Sequence, residues 1–199
     1  MKLLGISGTI QGSKTARLVE TVLREVEKNH PNVQVQLLDL RHYNLQFCDG
    51  RDLSSYNEDT RKVIQTVAQA DFYLIGSPIF NASIPAPLKN VFDLMPPSVF
   101  RHKVMGFVAN GETYQHYLVV ENQLKPIAGY LRCYVAPSFV FANSEHFNPN
   151  NEICDEDVLK RIRELANELV HMQYRLSNTA FSSFSCERNG FQRQGLPWG

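Results

Sequence analysis

A hydroxyl-rich loop near the start of the chain is the first stretch whose composition suggests chemistry. It runs from Ser7 to Thr15, reads SGTIQGSKT, and contains four hydroxyl side chains, two glycines and one lysine. A helix is predicted to begin at Ser13, so the loop lies at a helix N-terminus, where free N–H groups and the helix dipole attract anions. Hydroxyls on Thr9, Ser13 and Thr15 can donate to phosphate oxygens. We therefore predict a phosphate site; the simpler interpretation is that Ser13 only caps the helix.

A second loop has the composition of a wall for a flat ligand. It follows the apolar run Asp71–Ile75 and opens the stretch Gly76–Asp93, GSPIFNASIPAPLKNVFD. The ring of Phe80 can cover the face of a planar ligand, and the backbone amides of Ile79 to Asn81 can hydrogen-bond its edge. A plain strand–loop–helix connection is the alternative interpretation.

A third loop, Ala109–Thr113 (ANGET), follows the fourth predicted strand. The three loops follow the first, third and fourth predicted strands, and in the strand order 2-1-3-4-5 these carboxyl ends converge at one crevice. A phosphate in the first loop and a planar ring between the other two describe a mononucleotide with a large planar base. FMN fits that description better than a simple nucleotide does.

Two other phosphate motifs are not matched. The first loop lacks the GxGxxG spacing of a dinucleotide-binding fold. Ser13 separates Gly12 from Lys14, so the Gly-Lys-Thr order of a nucleotide-hydrolase P-loop is broken. Such hydrolases also have a metal-binding aspartate at the end of a later strand. No later strand ends in an obvious aspartate of this kind, and Ser77 stands in its place, so we do not expect a hydrolase of this class.

Apolar runs and helical patterns alternate along the chain, and they must position these loops. Strands are predicted over 2–6, 33–40, 72–76, 103–109 and 134–141, and helices over 13–28, 58–70, 85–95, 114–131 (kinked at Pro126) and 155–176. The pattern predicts an α/β, flavodoxin-like three-layer fold with a five-stranded parallel sheet, order 2-1-3-4-5, and helices on both faces. We predict one FMN-binding domain over residues 1–176 and a C-terminal tail over 177–199.

The composition excludes several classes of partner. The chain has 199 residues and a net charge of zero, which argues against nucleic-acid binding and a basic membrane-binding face. No apolar run approaches the about 20 residues of a membrane span. The four cysteines are scattered and no signal peptide is apparent, so we expect reduced thiols in a cytoplasmic protein. The six histidines show no metal-ligand spacing, and we expect no metal.

Three segments together resemble the NADPH-dependent FMN reductase family, in particular the flavin reductases of alkanesulfonate monooxygenase systems. They are LLGISGTIQGSKT, GSPIFNASIPAPLKNVFDLMP and HKVMGFVANGETYQHYLVVENQLKPI, and the likeness extends over roughly residues 1–176. It implies FMN as cofactor and NADPH or NADH as hydride donor. The FMN-binding positions that it implies are Ser7, Thr9, Gln11, Ser13, Lys14 and Thr15 in the first loop, Pro78, Ile79, Phe80, Asn81 and Ser83 along the isoalloxazine, and Ala109, Asn110 and Gly111 at its other edge.

Three positions depart from the family's pattern. Gln11 stands where the family often has arginine, so Lys14 is expected to supply the positive charge. Glu112 stands where a second glycine is usual. Asn122 lies near a position where the sulfonate-system reductases carry a tyrosine linked to using FMN as a released substrate.

The chain is thus predicted to be an FMN-dependent NAD(P)H oxidoreductase that reduces free FMN or another small acceptor, such as a quinone or an azo dye. No catalytic side chain is predicted, because hydride transfer between nicotinamide and flavin needs no side-chain acid or base. The alternative is a flavodoxin-type electron carrier without NAD(P)H turnover, which the zero net charge disfavours. The resemblance also implies a homodimer or homotetramer through the third and fourth helices, and a flavin-dependent monooxygenase as a possible partner.

Overall fold

The centre of the protein is a parallel sheet of five strands in the order β2-β1-β3-β4-β5. The structure, a computed structural model, describes residues 1–178. Every neighbouring pair of strands is parallel, so the predicted fold and strand order are confirmed. The strands are β1 Lys2–Ser7, β2 Gln34–Asp39, β3 Phe72–Pro78, β4 Val104–Asn110 and β5 Tyr134–Ala142.

Helices cover both faces of this sheet. They are α1 Lys14–Asn29, α2 Glu58–Ala68, α3 Ala86–Leu94, α4 Lys125–Tyr130 and α5 Glu156–Asn178. Helices α1 and α5 pack on one face, which includes Leu74, and α2, α3 and α4 pack on the other, which includes Ile75. Consecutive residues of β3 therefore enter opposite apolar layers, as strand geometry requires. None of the helices in this part of the chain is long and apolar enough to span a membrane.

The predicted helix over 114–131 is wrong as a single element. The structure has a 3-10 turn at Tyr114–Tyr117, a π-helical turn at Val120–Leu124 and only then α4. Pro126 has no N–H to donate to the preceding turn. The amide of Lys125 donates to the carbonyl of Val120, five residues earlier, so the expected kink becomes a widened turn. The predicted tail lies outside the described residues, except that Ser177 and Asn178 complete α5.

Glycines allow α1 to lie directly on the sheet. A Cβ on Gly76 of β3 would lie 2.3 Å from Val19 Cγ2, and one on Gly5 of β1 would lie 2.6 Å from Val19 Cγ1. Real side chains do not approach this closely, so only glycine fits at these two positions. The close packing places the N-terminus of α1 beside the carboxyl ends of β1 and β3.

Strand β5 is an irregular edge strand. Val135 pairs with Met105 and Phe139 pairs with Phe107, so β5 bulges outward between these pairs. At the bulge, Glu168 of α5 accepts a hydrogen bond from the Ser138 amide at 3.1 Å. The Pro137 carbonyl accepts one from Lys125 Nζ, also at 3.1 Å. Side chains from two helices therefore occupy the outer edge of the strand here.

The described cysteines are free thiols at three separate places. Cys48 and Cys154 are exposed and Cys133 is half-buried, whereas Cys186 lies outside the described residues. Burial raises the pKa of Cys133 to about 12. This thiol is therefore protonated and unreactive at neutral pH.

Candidate functional site

A cleft of about 800 Å³ opens at the carboxyl ends of the strands. This volume lies within the range of about 300–1,000 Å³ that is usual for cofactor and ligand pockets. Of the residues predicted to bind a cofactor, Gln11, Lys14, Pro78, Ile79, Phe80, Asn81, Asn110 and Gly111 line the cleft. The others lie in the same three loops or at the ends of their strands. The structure therefore brings the three predicted loops together.

Helix α1 presents an uncapped N-terminus in the first loop. Ser13 occupies the N-cap position, but its hydroxyl makes no capping hydrogen bond. The first helical bond runs from the Arg17 amide to the Ser13 carbonyl at 2.9 Å. The amides of Lys14, Thr15 and Ala16 have no acceptor within residues 1–178. Such free amides, together with the dipole of a 16-residue helix, form an anion-binding position rather than a simple cap.

The hydroxyls of the first loop have different partners. Thr9 donates to the Gln11 carbonyl and accepts from the Gln11 amide at 3.1 Å, so it holds the loop closed. Thr15 donates to Asn110 Oδ1 at 2.6 Å and ties α1 to the end of β4. Ser13 accepts from Asn151 Nδ2 at 3.0 Å, so its own proton is free. Ser7 Oγ is buried without a partner among the described residues.

Two cations lie beside the first loop. Lys14 lines the cleft, and its Nζ lies 5.3 Å from the centre of the Phe147 ring. Arg41, in the turn after β2, donates from Nη1 to the Gly12 carbonyl at 2.8 Å. Arg41 was not among the residues predicted from the sequence. The Asp-Leu-Arg succession at the end of β2 was the available signal, because a strand end in this fold lies beside the first loop.

Arg41 also pairs with a buried carboxylate. Its guanidinium donates to both oxygens of Asp39, whose side chain is only 4% exposed. Burial acts to raise the pKa of Asp39, but the hydrogen bonds and charge of Arg41 outweigh it, so the pKa lies below its ordinary value. Asp39 is therefore ionised at neutral pH and fixes the orientation of the arginine.

A tight turn places Phe80 and Asn81 at the edge of the cleft. Phe80 and Ser83 exchange two backbone hydrogen bonds of 3.0 Å, and Asn81 and Ala82 adopt φ of 49° and 60°. The Ile79 amide donates to the Asn110 carbonyl at 2.9 Å. Ile79 and Phe80 thus use their amides within the protein. Of the amides from Ile79 to Asn81, only that of Asn81 has no acceptor among the described residues. It alone can therefore hydrogen-bond the edge of a ligand without breaking a hydrogen bond within the protein.

Gln123, in the π-helical turn, braces the turn around Ala82. Its Oε1 accepts from Ser83 Oγ at 2.8 Å, and its Nε2 donates to the Ala82 carbonyl at 3.2 Å. Ser83 therefore supports the turn from behind. Gln123 was not predicted from the sequence, because its contact with this turn depends on the π-helical turn that replaces the predicted regular helix.

His116 packs against Gly111 on the opposite wall. A Cβ on Gly111 would lie 2.8 Å from His116 Nδ1 and 3.0 Å from its Cβ. His116 Nδ1 is buried and has no partner among the described residues. Gly111 therefore sets how close the imidazole lies to the backbone of the third loop.

We expect Gly111→Ala to push His116 outward and reshape this wall. Overpacking of this kind costs about 1 kcal/mol of folding free energy, and flavin affinity should fall several-fold. Thermal melts and flavin titrations measure the two effects. The double variant Gly111→Ala/His116→Ala removes the imidazole but keeps its Cβ, so it should recover part of the lost stability; no recovery at all would show that the clash with the imidazole is not the cause.

The cleft has a fourth wall that was not predicted from the sequence. Ala142, Asn143, Ser144 and Phe147, at and after the end of β5, line the cleft. The fifth carboxyl end lies at the same edge of the sheet as the other loops, and this was the available signal. The extra wall closes the cleft beside Lys14.

Comparison with known proteins agrees with this geometry. The sequence pattern of the NADPH-dependent FMN reductase family matches residues 1–147. The chain is 60% identical over 178 residues to the NAD(P)H-dependent FAD/FMN reductase of Geobacillus thermodenitrificans, covering 89% of this chain and 96% of that protein. It is 26% identical over 163 residues to an FMN reductase (NADPH) of Pseudomonas aeruginosa, covering 81% and 87%.

A solved structure supports the fold. The apo form of the NADH:FMN oxidoreductase EMOB superposes with a TM-score of 0.71 at 23% identity, covering 90% of this chain and 91% of that one. The likeness of fold, the match over residues 1–147 and the 60% identity to a flavin reductase lead to one conclusion. The chain belongs to the NADPH-dependent FMN reductase family, and it is an oxidoreductase that uses FMN with NAD(P)H as the hydride donor.

Proposed function

We propose that this protein is a flavin reductase that binds FMN in the 800 Å³ cleft and reduces it with NAD(P)H. The observation that carries the proposal is the uncapped N-terminus of α1, with three free amides and the Ser13 hydroxyl, at one end of that cleft. The flavin phosphate belongs at this end. Phe80, Asn81 and Gly111, on the facing walls, belong beside the isoalloxazine.

The residues present fit the chemistry of FMN. The free amides and Lys14 compensate the phosphate charge. They take the role of the arginine that the family often has at the position of Gln11. The exposed ring of Phe80 offers an apolar surface for a planar ring. FMN, when bound, supplies the acceptance and release of hydride.

The protein's own contribution is orientation and electrostatics. The Asn81 amide is a preorganised donor, since its turn is already closed by two hydrogen bonds, and such a dipole stabilises negative charge on a ring edge. The Thr15–Asn110 bond of 2.6 Å holds the phosphate end and the ring end at a set separation. No side-chain acid or base is assigned to the hydride step.

The 60% identity to a FAD/FMN reductase over 96% of its length supports a flavin as the molecule that is reduced and then released. Free flavin then serves as substrate, and a flavin-dependent monooxygenase is the natural consumer. Quinones and azo dyes are the second class of acceptor. The exposed Asn122 in the π-helical turn lies near the place where, by the family resemblance, the sulfonate-system enzymes carry tyrosine, so the mode of flavin release is to be measured directly.

Cellular location and assembly complete the proposal. The three cysteines in the described part of the chain are scattered and free, which supports a reducing, cytoplasmic location. A homodimer or homotetramer through α3 and the 114–131 region is supported by exposed Leu118 and Tyr130, and light scattering measures the assembly state.

One experiment tests the function. The visible spectrum of the purified protein is recorded, and NADPH and NADH consumption is then followed with FMN, FAD, riboflavin and a quinone. We expect turnover on free FMN above that on the quinone. A protein with tightly bound flavin and faster quinone turnover would instead be a prosthetic-group reductase, and flavin binding without NAD(P)H oxidation would identify an electron carrier.

A further inference from the structure

The hydroxyl of Ser13 has a partner from a distant part of the chain. Asn151 donates from Nδ2 to Ser13 Oγ at 3.0 Å, across 138 residues of sequence. Asn151 lies between β5 and α5, beyond the residues 1–147 that match the family. The contact is therefore a feature of this chain that the family pattern does not describe.

The segment that carries Asn151 is held by its own hydrogen bonds. Asn148 Oδ1 accepts from the amides of Asn150 at 2.9 Å and Glu152 at 3.0 Å. The Asn151 amide donates to the Asn148 carbonyl at 2.9 Å. Asn151 has a φ of 58°, which asparagine tolerates better than most residues do. The backbone that carries the Asn151 side chain is therefore held without any ligand.

The direction of this hydrogen bond decides where the Ser13 proton points. The amide nitrogen of asparagine only donates, so Ser13 Oγ uses a lone pair for Asn151 and keeps its proton for another acceptor. Ser13 Oγ also accepts no capping hydrogen bond from the amides of α1. The free amides of Lys14, Thr15 and Ala16 define where an anion would lie beside it.

We propose that Asn151 is a positioning residue for the cofactor phosphate, because it orients the Ser13 hydroxyl to donate to that phosphate. The inference rests on the proposed function, since it assumes that the phosphate of FMN binds at the N-terminus of α1. It assigns a role in flavin recognition to Asn151, which does not line the cleft and acts through Ser13.

The test compares two flavins that differ by the phosphate. Asn151→Gly removes the amide and keeps the left-handed backbone, and Asn151→Asp replaces the donor by a negatively charged acceptor. Apoprotein of the full chain is titrated with FMN and with riboflavin, and quenching of flavin fluorescence gives each Kd. Loss of one oriented donor to a charged group should raise the Kd for FMN about tenfold in Asn151→Gly.

Asn151→Asp should weaken FMN further, because the Ser13 proton turns toward the carboxylate and a negative charge faces the phosphate. Riboflavin, which has no phosphate, should keep its Kd in both variants. Asn150→Ala is the matched control: its side chain is exposed and makes no hydrogen bond within residues 1–178, and both Kd values should equal those of the wild type.

A double-mutant cycle distinguishes action through Ser13 from a general loop effect. Ser13→Ala/Asn151→Gly should bind FMN no more weakly than Ser13→Ala alone. Additive losses, or equal losses for FMN and riboflavin, would overturn the inference. Wild-type protein that binds FMN no better than riboflavin would refute the phosphate site of the proposed function itself. Normal FMN preference in Asn151→Gly would refute the inference alone.

Discussion

Gly76→Ala is expected to lower the free energy of unfolding by about 3 kcal/mol, the upper part of the usual cost of overpacking. The new Cβ would lie 2.3 Å from Val19 Cγ2, 3.2 Å from Thr15 Cγ2 and 3.3 Å from the Ile6 carbonyl oxygen. The backbone of β1 closes one side of this space, so α1 must move away from the sheet. Denaturant titration measures the change.

The same displacement should weaken flavin binding, because Thr15 lies on α1 and carries the bond to Asn110. Val19→Ala in the Gly76→Ala background removes the closest atoms and should return part of the lost stability. Gly129→Ala is the control, since nothing lies within 4 Å of a Cβ there. This substitution in α4 should be neutral or stabilising by up to about 1 kcal/mol. Wild-type stability in Gly76→Ala would show that the close approach of α1 to β3 is not required.

Arg41→Met should lower the free energy of unfolding by about 2 kcal/mol at neutral pH, since it leaves the Asp39 carboxylate buried without its partner. The loss is smaller than for a fully buried pair because the Arg41 side chain is 30% exposed. The Gly12 carbonyl also loses its donor. The first loop is then less restrained, and the Kd for FMN should rise about fivefold, as expected for one hydrogen bond.

The stability loss in Arg41→Met should depend on pH. In the wild type the pKa of Asp39 is lowered, so the pair stabilises the protein above the unfolded pKa of about 3.9 and this contribution is lost as the pH falls through the lower folded value. In the variant the backbone amide at position 41 and the charge of His42 still lower the pKa of Asp39, but the side-chain hydrogen bonds and charge of Arg41 are gone, so burial moves this pKa above its wild-type value. The difference between the two proteins should therefore be largest near neutral pH and shrink toward about pH 4 as the variant's carboxyl takes up a proton.

The chain contains a matched control for this pair. Asp49 and Arg51 repeat the Asp-x-Arg spacing and also form an ion pair, but their side chains are 46% and 41% exposed. Arg51→Met should change stability within experimental error at every pH, because exposed pairs contribute little. Asp39→Asn/Arg41→Met should remove the pH dependence. An equal effect of Arg41→Met and Arg51→Met would contradict the role assigned to burial.

The regular strands and helices could be predicted because each has a clear hydrophobic period and is bounded by residues that end it. The run at 72–76 and the helix that begins near Pro85 have such signals, and their observed ends differ by two residues or fewer from the predicted ones. The 114–131 region was not predictable in the same way. Its apolar residues fit one helix, but the consequence of Pro126 depends on how the preceding turn packs, and local propensity does not report that.

The candidate site could be predicted where the residues that form it are close together in the sequence. Hydroxyls, glycines and an aromatic residue at strand ends identified the first three loops. Arg41, Gln123 and Asn151 were missed because each acts on a loop far away in the chain: Asn151 and Ser13 are 138 residues apart. Their ordinary residue types carry no signal of such a contact. Only the folded arrangement shows that these side chains orient the residues that would meet the ligand.

The bulge in β5 has a consequence for how chains meet one another. An open sheet edge with free backbone groups invites strand addition by a second chain, and proline, bulges and charged side chains oppose it. At this edge Pro137 has no N–H, its carbonyl accepts from Lys125, and the Ser138 amide donates to Glu168. This stretch of β5 is therefore a poor template for another strand, which opposes edge-to-edge aggregation at this side of the sheet.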